Sequence, residues 1–175
     1  GAIQHFTIPG LRWIDSPGTG AVQKEGDTCD MEQLVREYLN YADLGVFLMS
    51  SDAPGLQPDF EYINRLQENG KPAIVVITKS DRNDEKIVNG KIVSNWVAKT
   101  TEDRQDQENW IREELVRNGV QDRFRVLSIS TYLAIRGIET QDDDVFRQSQ
   151  LDLFMEALGE KIGEEAVQLK ERNPK

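Results

Sequence analysis

Apolar and polar positions change period several times along the chain, and each change marks an element. Ile3–Phe6 and Leu11–Ile14 are short β-prone runs joined through Thr7-Ile8-Pro9-Gly10. Pro-Gly marks a turn, so the pair predicts an antiparallel hairpin. Asp15–Thr28 is polar and rich in glycine, and reads as a long loop. Met31, Leu34, Val35, Tyr38 and Leu39 then recur at helical spacing, with Asp30 as the expected N-cap. Leu44–Met49 reads as a buried strand, Ser50–Pro58 as a loop, and Pro58–Asn69 as a helix carrying Phe60, Ile63 and Leu66 on one face, stopped by Gly70. Ala73–Ile77 is purely β-branched and apolar, as a parallel strand covered on both faces should be. Polar residues from Arg82 to about Thr101 interrupt the regular pattern. A helix is expected over Glu102–Asn118, a strand over Arg125–Ile129, an exposed acidic segment at Gln141–Asp144, and a long helix over Gln148–Arg172.

After the opening hairpin, helices and strands alternate. That order predicts an α/β fold: a mostly parallel sheet with helices on both faces and a long C-terminal helix. The chain divides on this reading into 1–147 and a C-terminal helix over 148–175. The helix is equally readable as packed back on the sheet or as the start of a stalk, because one apolar stripe fits both. In such sheets ligands sit at the carboxyl ends of the strands, so chemistry is sought in the residues just after them.

Composition narrows the classes of partner. The 175 residues are 38% hydrophobic and 30% charged, an ordinary globular balance, with a formal charge of −10. So acidic a chain is a poor ligand for nucleic acid or an anionic membrane through its overall field. Cys29 is the single cysteine, which leaves no intrachain disulfide or cysteine zinc site. His5 is the single histidine, and any Ser-His-Asp site would have to use it, although it lies in an expected strand. The apolar runs Val46–Met49 and Ala73–Ile77 fall far short of the roughly 20 residues that span a bilayer. With no signal peptide at the start, the expected location is the cytoplasm.

Three segments carry candidate chemistry. Asp15-Ser16-Pro17-Gly18 follows the strand Leu11–Ile14. An aspartate there can hold the water shell of Mg²⁺, and a glycine three residues on lets a backbone N–H approach a phosphate oxygen. The same four residues also make ordinary turns. Thr78-Lys79-Ser80-Asp81 follows the strand Ala73–Ile77. Guanine presents a ring N–H and an exocyclic amine on one edge, and a fixed carboxylate accepts both. The lysine stem can lie along the flat base with its charge in solvent. Adenine lacks that donor pair, so the carboxylate would discriminate against it. Ser128 to Ala134 closes the last strand, where small polar residues could offer backbone N–H groups to the guanine carbonyl.

In order and placement these segments resemble the Asp-x-Pro-Gly loop, the [Asn/Thr]-Lys-x-Asp base reader and the Ser-Ala-Lys-like loop of the P-loop GTPases. The last reads Ser130-Thr131-Tyr132 here, a departure from that pattern. The strand before Asp15, the helix over Met31–Tyr41 and Ala42-Asp43 before the next strand look like the GTPase region of the dynamin superfamily. Pro17-Gly18-Thr19-Gly20 is also similar to the interferon-inducible GTPases. The resemblance covers about residues 3–135. It implies GTP or GDP and Mg²⁺ as ligands, with Asp15 holding Mg²⁺ through water and Gly18 the γ-phosphate. It implies a guanine pocket built from Thr78, Lys79, Asp81 and the Ser130 and Thr131 backbone. No residue of this chain is assigned a catalytic role. Thr19 stands where small GTPases place a water-orienting glutamine, so hydrolysis would depend on other groups.

No Gly-x-x-x-x-Gly-Lys-[Ser/Thr] occurs in the sequence: Gly70-Lys71 runs into Pro72 and Gly90-Lys91 into Ile92. The resemblance implies that this loop and the first switch precede residue 1, and the chain alone is expected not to hydrolyse GTP. It further implies a sheet strand between Leu11–Ile14 and Leu44–Met49 that the chain lacks, hence open edges and self-association or rearrangement. Membrane work would belong to regions outside the chain. Two other readings stand beside this one: a nucleotide-free interaction module descended from a GTPase, and an unrelated α/β binding protein.

Overall fold

The computed structural model describes residues 4–8, 11–16, 31–53, 57–121 and 124–172. The expected Asp30 cap, the Pro17–Gly20 loop with Gly18, and Cys29 lie outside the described residues. Seven strands and six helices are described: β1 (Gln4–Ile8), β2 (Leu11–Asp15), α1 (Met31–Tyr41), β3 (Gly45–Ser50), α2 (Gln57–Glu68), β4 (Ala73–Thr78), β5 (Asp81–Val88), β6 (Lys91–Ala98), α3 (Thr101–Arg117), β7 (Phe124–Ser128), α4 (Thr131–Thr140), α5 (Asp143–Gln148) and α6 (Leu151–Arg172).

The centre is a three-stranded parallel sheet in the order β3-β4-β7. β4 lies in the middle, and Ala73 to Ile77 have no solvent exposure at all. Alternation along a strand sends successive side chains to opposite faces. Ala73, Val75 and Ile77 therefore join Phe60, Ile63 and Leu66 of α2 and Ile111 and Leu115 of α3 in one core. Ile74 and Val76 join Ala157 and Leu158 of α6 in a second, with Trp13, Leu44, Val46 and Phe154 packed around them. Each fully buried Val or Ile contributes roughly 1.5–3 kcal/mol, which is why this strand organises the fold. The α/β expectation with helices on both faces is met at this level, and α6 packs on the sheet.

Two antiparallel hairpins flank the parallel sheet. β1 and β2 pair from Gln4↔Asp15 to Ile8↔Leu11, as the sequence suggests. They form their own two-stranded sheet, so among the described strands β3 bonds only to β4 and is an edge. The polar stretch after Arg82 corrects the expectation of an irregular segment: it is a second hairpin, β5–β6, paired from Asp81↔Ala98 to Val88↔Lys91. Its turn is Asn89-Gly90 with φ of 52° and 73°. Left-handed conformation at both positions is what a two-residue turn needs to match strand twist, and Asn-Gly supplies it with least strain.

The C-terminal helical segment also differs from the single helix expected over Gln148–Arg172. α5 ends at Gln148, Gln150 takes a left-handed φ of 59°, and α6 begins at Leu151. Asp142 caps α5 by accepting from the Asp144 and Val145 N–H groups. Thr100 caps α3 through the Asp103 N–H at 3.1 Å, the usual arrangement at a helix start.

Candidate functional site

Parallel strands bring the loops after β3, β4 and β7 to one end of the sheet, and their backbones are stitched together there. After β3, the Ser51 N–H donates to the Thr78 carbonyl at 2.9 Å, and the Ser51 Oγ donates to the Lys79 carbonyl at 2.7 Å. After β4, the Ser80 N–H donates to the Ile129 carbonyl at 3.0 Å, and Ile129 N–H to the Ile77 carbonyl at 2.8 Å. Residues 78–81 and 128–131, read separately from the sequence, are thus neighbours.

Within this cluster the carboxylate of Asp81 is held by a neighbouring hydroxyl. The Ser130 Oγ donates to Asp81 Oδ2 at 3.0 Å and accepts from the Leu133 N–H at 3.1 Å. Ser130 therefore caps α4 and fixes Asp81 with one hydroxyl. Asp81 is half-buried. Lys79 takes a left-handed φ of 56°, a conformation that a non-glycine residue adopts at a cost and that clusters at functional sites. Its side chain is 66% exposed, with Nζ 3.9 Å from the Asp52 carboxylate. Lysine stem and aspartate thus flank a short backbone span whose shape is imposed by its neighbours.

Other site residues expected from the sequence do different work. The Thr78 hydroxyl donates to the Met49 carbonyl at 3.1 Å and braces β4 against β3. The Ser130 N–H, expected to face a ligand carbonyl, already donates to the Ser149 carbonyl at 3.0 Å. Thr131 opens α4, where first-turn N–H groups lack partners within the helix, so an incoming carbonyl would meet Thr131 rather than Ser130. Asp15 ends β2 and is exposed. It belongs to the separate hairpin sheet, so strand pairing does not join it to Asp81. Among the described residues no group of three or more His, Cys, Asp or Glu side chains could hold a metal. Asp15 could serve Mg²⁺ as a single ligand through water. His5 is exposed, with Nε2 3.4 Å from the Tyr38 hydroxyl.

Several residues at this end escaped the sequence reading. Arg104 is buried, 4% exposed, and its Nη2 donates to the carbonyls of Ser80 and Gln148, each at 2.9 Å. Burial lowers its pKa, and the Glu108 and Asp81 carboxylates act in the opposite direction. Lys99 donates to Ser51 Oγ at 3.1 Å and Gln107 Nε2 to the Ser51 carbonyl at 3.1 Å. Ser51 and Asp52 directly follow β3, the position searched after β4 and β7, and that placement is the signal that could have found them. Arg104 and Gln107 lie in a strongly charged helix and read as solvent-facing.

A scan against models of known protein families finds no match to this chain. A search of curated proteins finds no significant relative. Among the described residues no helix is long and apolar enough to cross a membrane.

Proposed function

We propose that the chain is the base-recognising part of a guanine-nucleotide-binding domain of the dynamin-like GTPase type. The observation that carries this is the Ser130–Asp81 hydrogen bond at 3.0 Å, which fixes a carboxylate at the carboxyl end of the parallel sheet beside Lys79. A carboxylate held in that way accepts the ring N–H and exocyclic amine of guanine without first reorganising, and a pre-oriented acceptor keeps more of its binding energy. Lys79 lies along the base with its ammonium in water. The N–H of Thr131 meets the guanine carbonyl at the start of α4. Against adenine the Asp81 carboxylate would face no matching donor pair and would lose its hydration for nothing.

Asp15 and Gly18 would then belong to the phosphate end, where Asp15 would hold Mg²⁺ through water. Mg²⁺, when bound, neutralises charge on the phosphate oxygens. The sequence contains no phosphate-binding Gly-Lys-[Ser/Thr] loop, so this chain alone turns over no GTP. The test is titration of the full-length protein with GDP and ADP, beside the Asp81→Asn variant. The GDP preference should be lost in the variant. Equal affinity for GDP and ADP, or an unchanged preference in Asp81→Asn, sinks it.

A second reading is a nucleotide-free interaction module. It is favoured by the exposed Ile87 and Ile92 near the β5–β6 turn, and by Ile138 on α4. Guanine-independent partner binding lost on Ile87→Ser would support it; GDP preference abolished by Asp81→Asn would exclude it.

A further inference from the structure

The β5–β6 hairpin is rooted at the candidate site, since β5 begins with Asp81 itself. Its register opposes Asp81 to Ala98 and Asn83 to Trp96. Directly opposed residues share a face of a hairpin, and so do residues two apart along a strand. Trp96 therefore lies on the same face as Asp81, as its diagonal neighbour across the pair, at a backbone separation of roughly 7–8 Å that a large ring can span. The Asp81 carboxylate meets the start of α4 through Ser130 Oγ at 3.0 Å. Trp96 meets the same helix start, with its ring centroid 6.1 Å from that of Tyr132 and the two planes 55° apart. One turn further along α4, Arg136 Nη1 donates to Asn95 Oδ1 at 2.9 Å and fixes β6 to the helix. Asp81, Ser130, Tyr132 and Trp96 are thus joined in one closed circuit. Neither ring belongs to the two apolar cores, and each keeps 45% of its surface exposed. Trp96 is also the single aromatic residue of the hairpin, and it stands near the root rather than at the Asn89-Gly90 turn.

We infer that Trp96 and Tyr132 form an aromatic wall against which the purine ring bound by Asp81 stacks. This rests on guanine recognition as proposed above, and it supplies a surface that Asp81 and Lys79 do not. A carboxylate engages only one edge of a base, and a lysine stem covers little of a bicyclic ring. The wide faces of a purine gain most from another π-system, offset or tilted against them. An indole and a phenol, each half-exposed beside the carboxylate, offer that. Stacking uses no donor or acceptor of the base edge, so it strengthens the binding of any base without choosing among them. The two tasks are therefore divided: Asp81 selects, and the wall holds. Loss of such a stack typically weakens binding by roughly 5- to 150-fold.

The experiment is a calorimetric titration of the full-length protein with GDP, ADP and inosine diphosphate, which lacks the exocyclic amine, in the parent, Trp96→Leu and Trp96→Phe. Trp96→Leu is expected to weaken GDP and inosine diphosphate by the same factor, about tenfold, so that the preference between them is kept. Trp96→Phe retains an aromatic face and should recover most of the affinity. GDP should also quench a part of the tryptophan fluorescence that is missing in Trp96→Phe. An unchanged GDP affinity in Trp96→Leu overturns the inference. So does a loss confined to GDP, which would make Trp96 a support for the Asp81 carboxylate and not a stacking surface. If the parent binds GDP and ADP equally, guanine recognition fails instead, and a loss in Trp96→Leu shared by all three nucleotides still supports the wall. A parent that binds none of them overturns both.

Discussion

Replacing Arg104 tests whether the loops after β4 and α5 are held from behind. In Arg104→Met the stem is kept and two hydrogen bonds, to the Ser80 and Gln148 carbonyls, are lost. Hydrogen bonds from a charged group contribute about 1.5–3 kcal/mol each. Two effects reduce the sum. The Ser80 carbonyl keeps the Lys99 N–H at 3.1 Å, so one acceptor stays satisfied. Burial of the guanidinium, expressed in its lowered pKa, is also relieved. The net destabilisation should be about 2–3 kcal/mol, seen as a lower urea midpoint with an unchanged slope. Lysine at 104 reaches fewer acceptors than the planar guanidinium and should fall between. Because Ser80 adjoins Asp81, the same variant should broaden the amide signals of residues 79–81. A midpoint within about 0.5 kcal/mol of the parent would refute the role given to Arg104.

Three further substitutions probe other parts of the account. A Cβ on Gly137 would lie 2.6 Å from the Phe146 backbone nitrogen, which cannot yield, so Gly137→Ala should cost about 2–3 kcal/mol in urea unfolding; an unchanged midpoint would contradict the α4–α5 packing. Gly90→Ala strains the left-handed turn by roughly 1–2 kcal/mol and should speed hydrogen exchange in β5 and β6, while leaving the Ala73–Thr78 amides protected. Hydrogen bonding with the Thr100 side chain lowers the Asp103 pKa. Its stabilising effect is therefore present above the unfolded carboxyl value of about 3.9 and is lost as pH falls through the lower folded value. Thr100→Ala should flatten that acid limb of the stability curve; a limb that keeps its shape would assign it to other carboxylates.

What the sequence disclosed depended on how far burial dictated residue type. β4 was legible because a strand covered on both faces admits only apolar side chains, and Ala73 to Ile77 are all such. α2 and α3 were legible from their apolar spacing and from Gly70, whose φ is 74°. β5–β6 was not, since most of its side chains are exposed and no face needs to be apolar; Asn89-Gly90 was the surviving signal. The split between α5 and α6 was hidden because Gln150, rather than glycine, takes the left-handed position. At the candidate site, Asp81 was singled out by its place after a strand. The engagement of the Ser130 N–H by Ser149 was invisible, because it joins segments whose contact only the folded chain creates. Arg104 stayed hidden for the same reason: nothing local distinguishes a buried arginine from its exposed neighbours in α3.

The most direct test of guanine recognition is a calorimetric comparison of GDP and ADP binding to the full-length protein and its Asp81→Asn variant. At least a tenfold preference for GDP, about 1.4 kcal/mol, is expected in the parent and should disappear in the variant. An equal affinity for the two nucleotides, or a GDP preference that survives the loss of the Asp81 carboxylate, would contradict it.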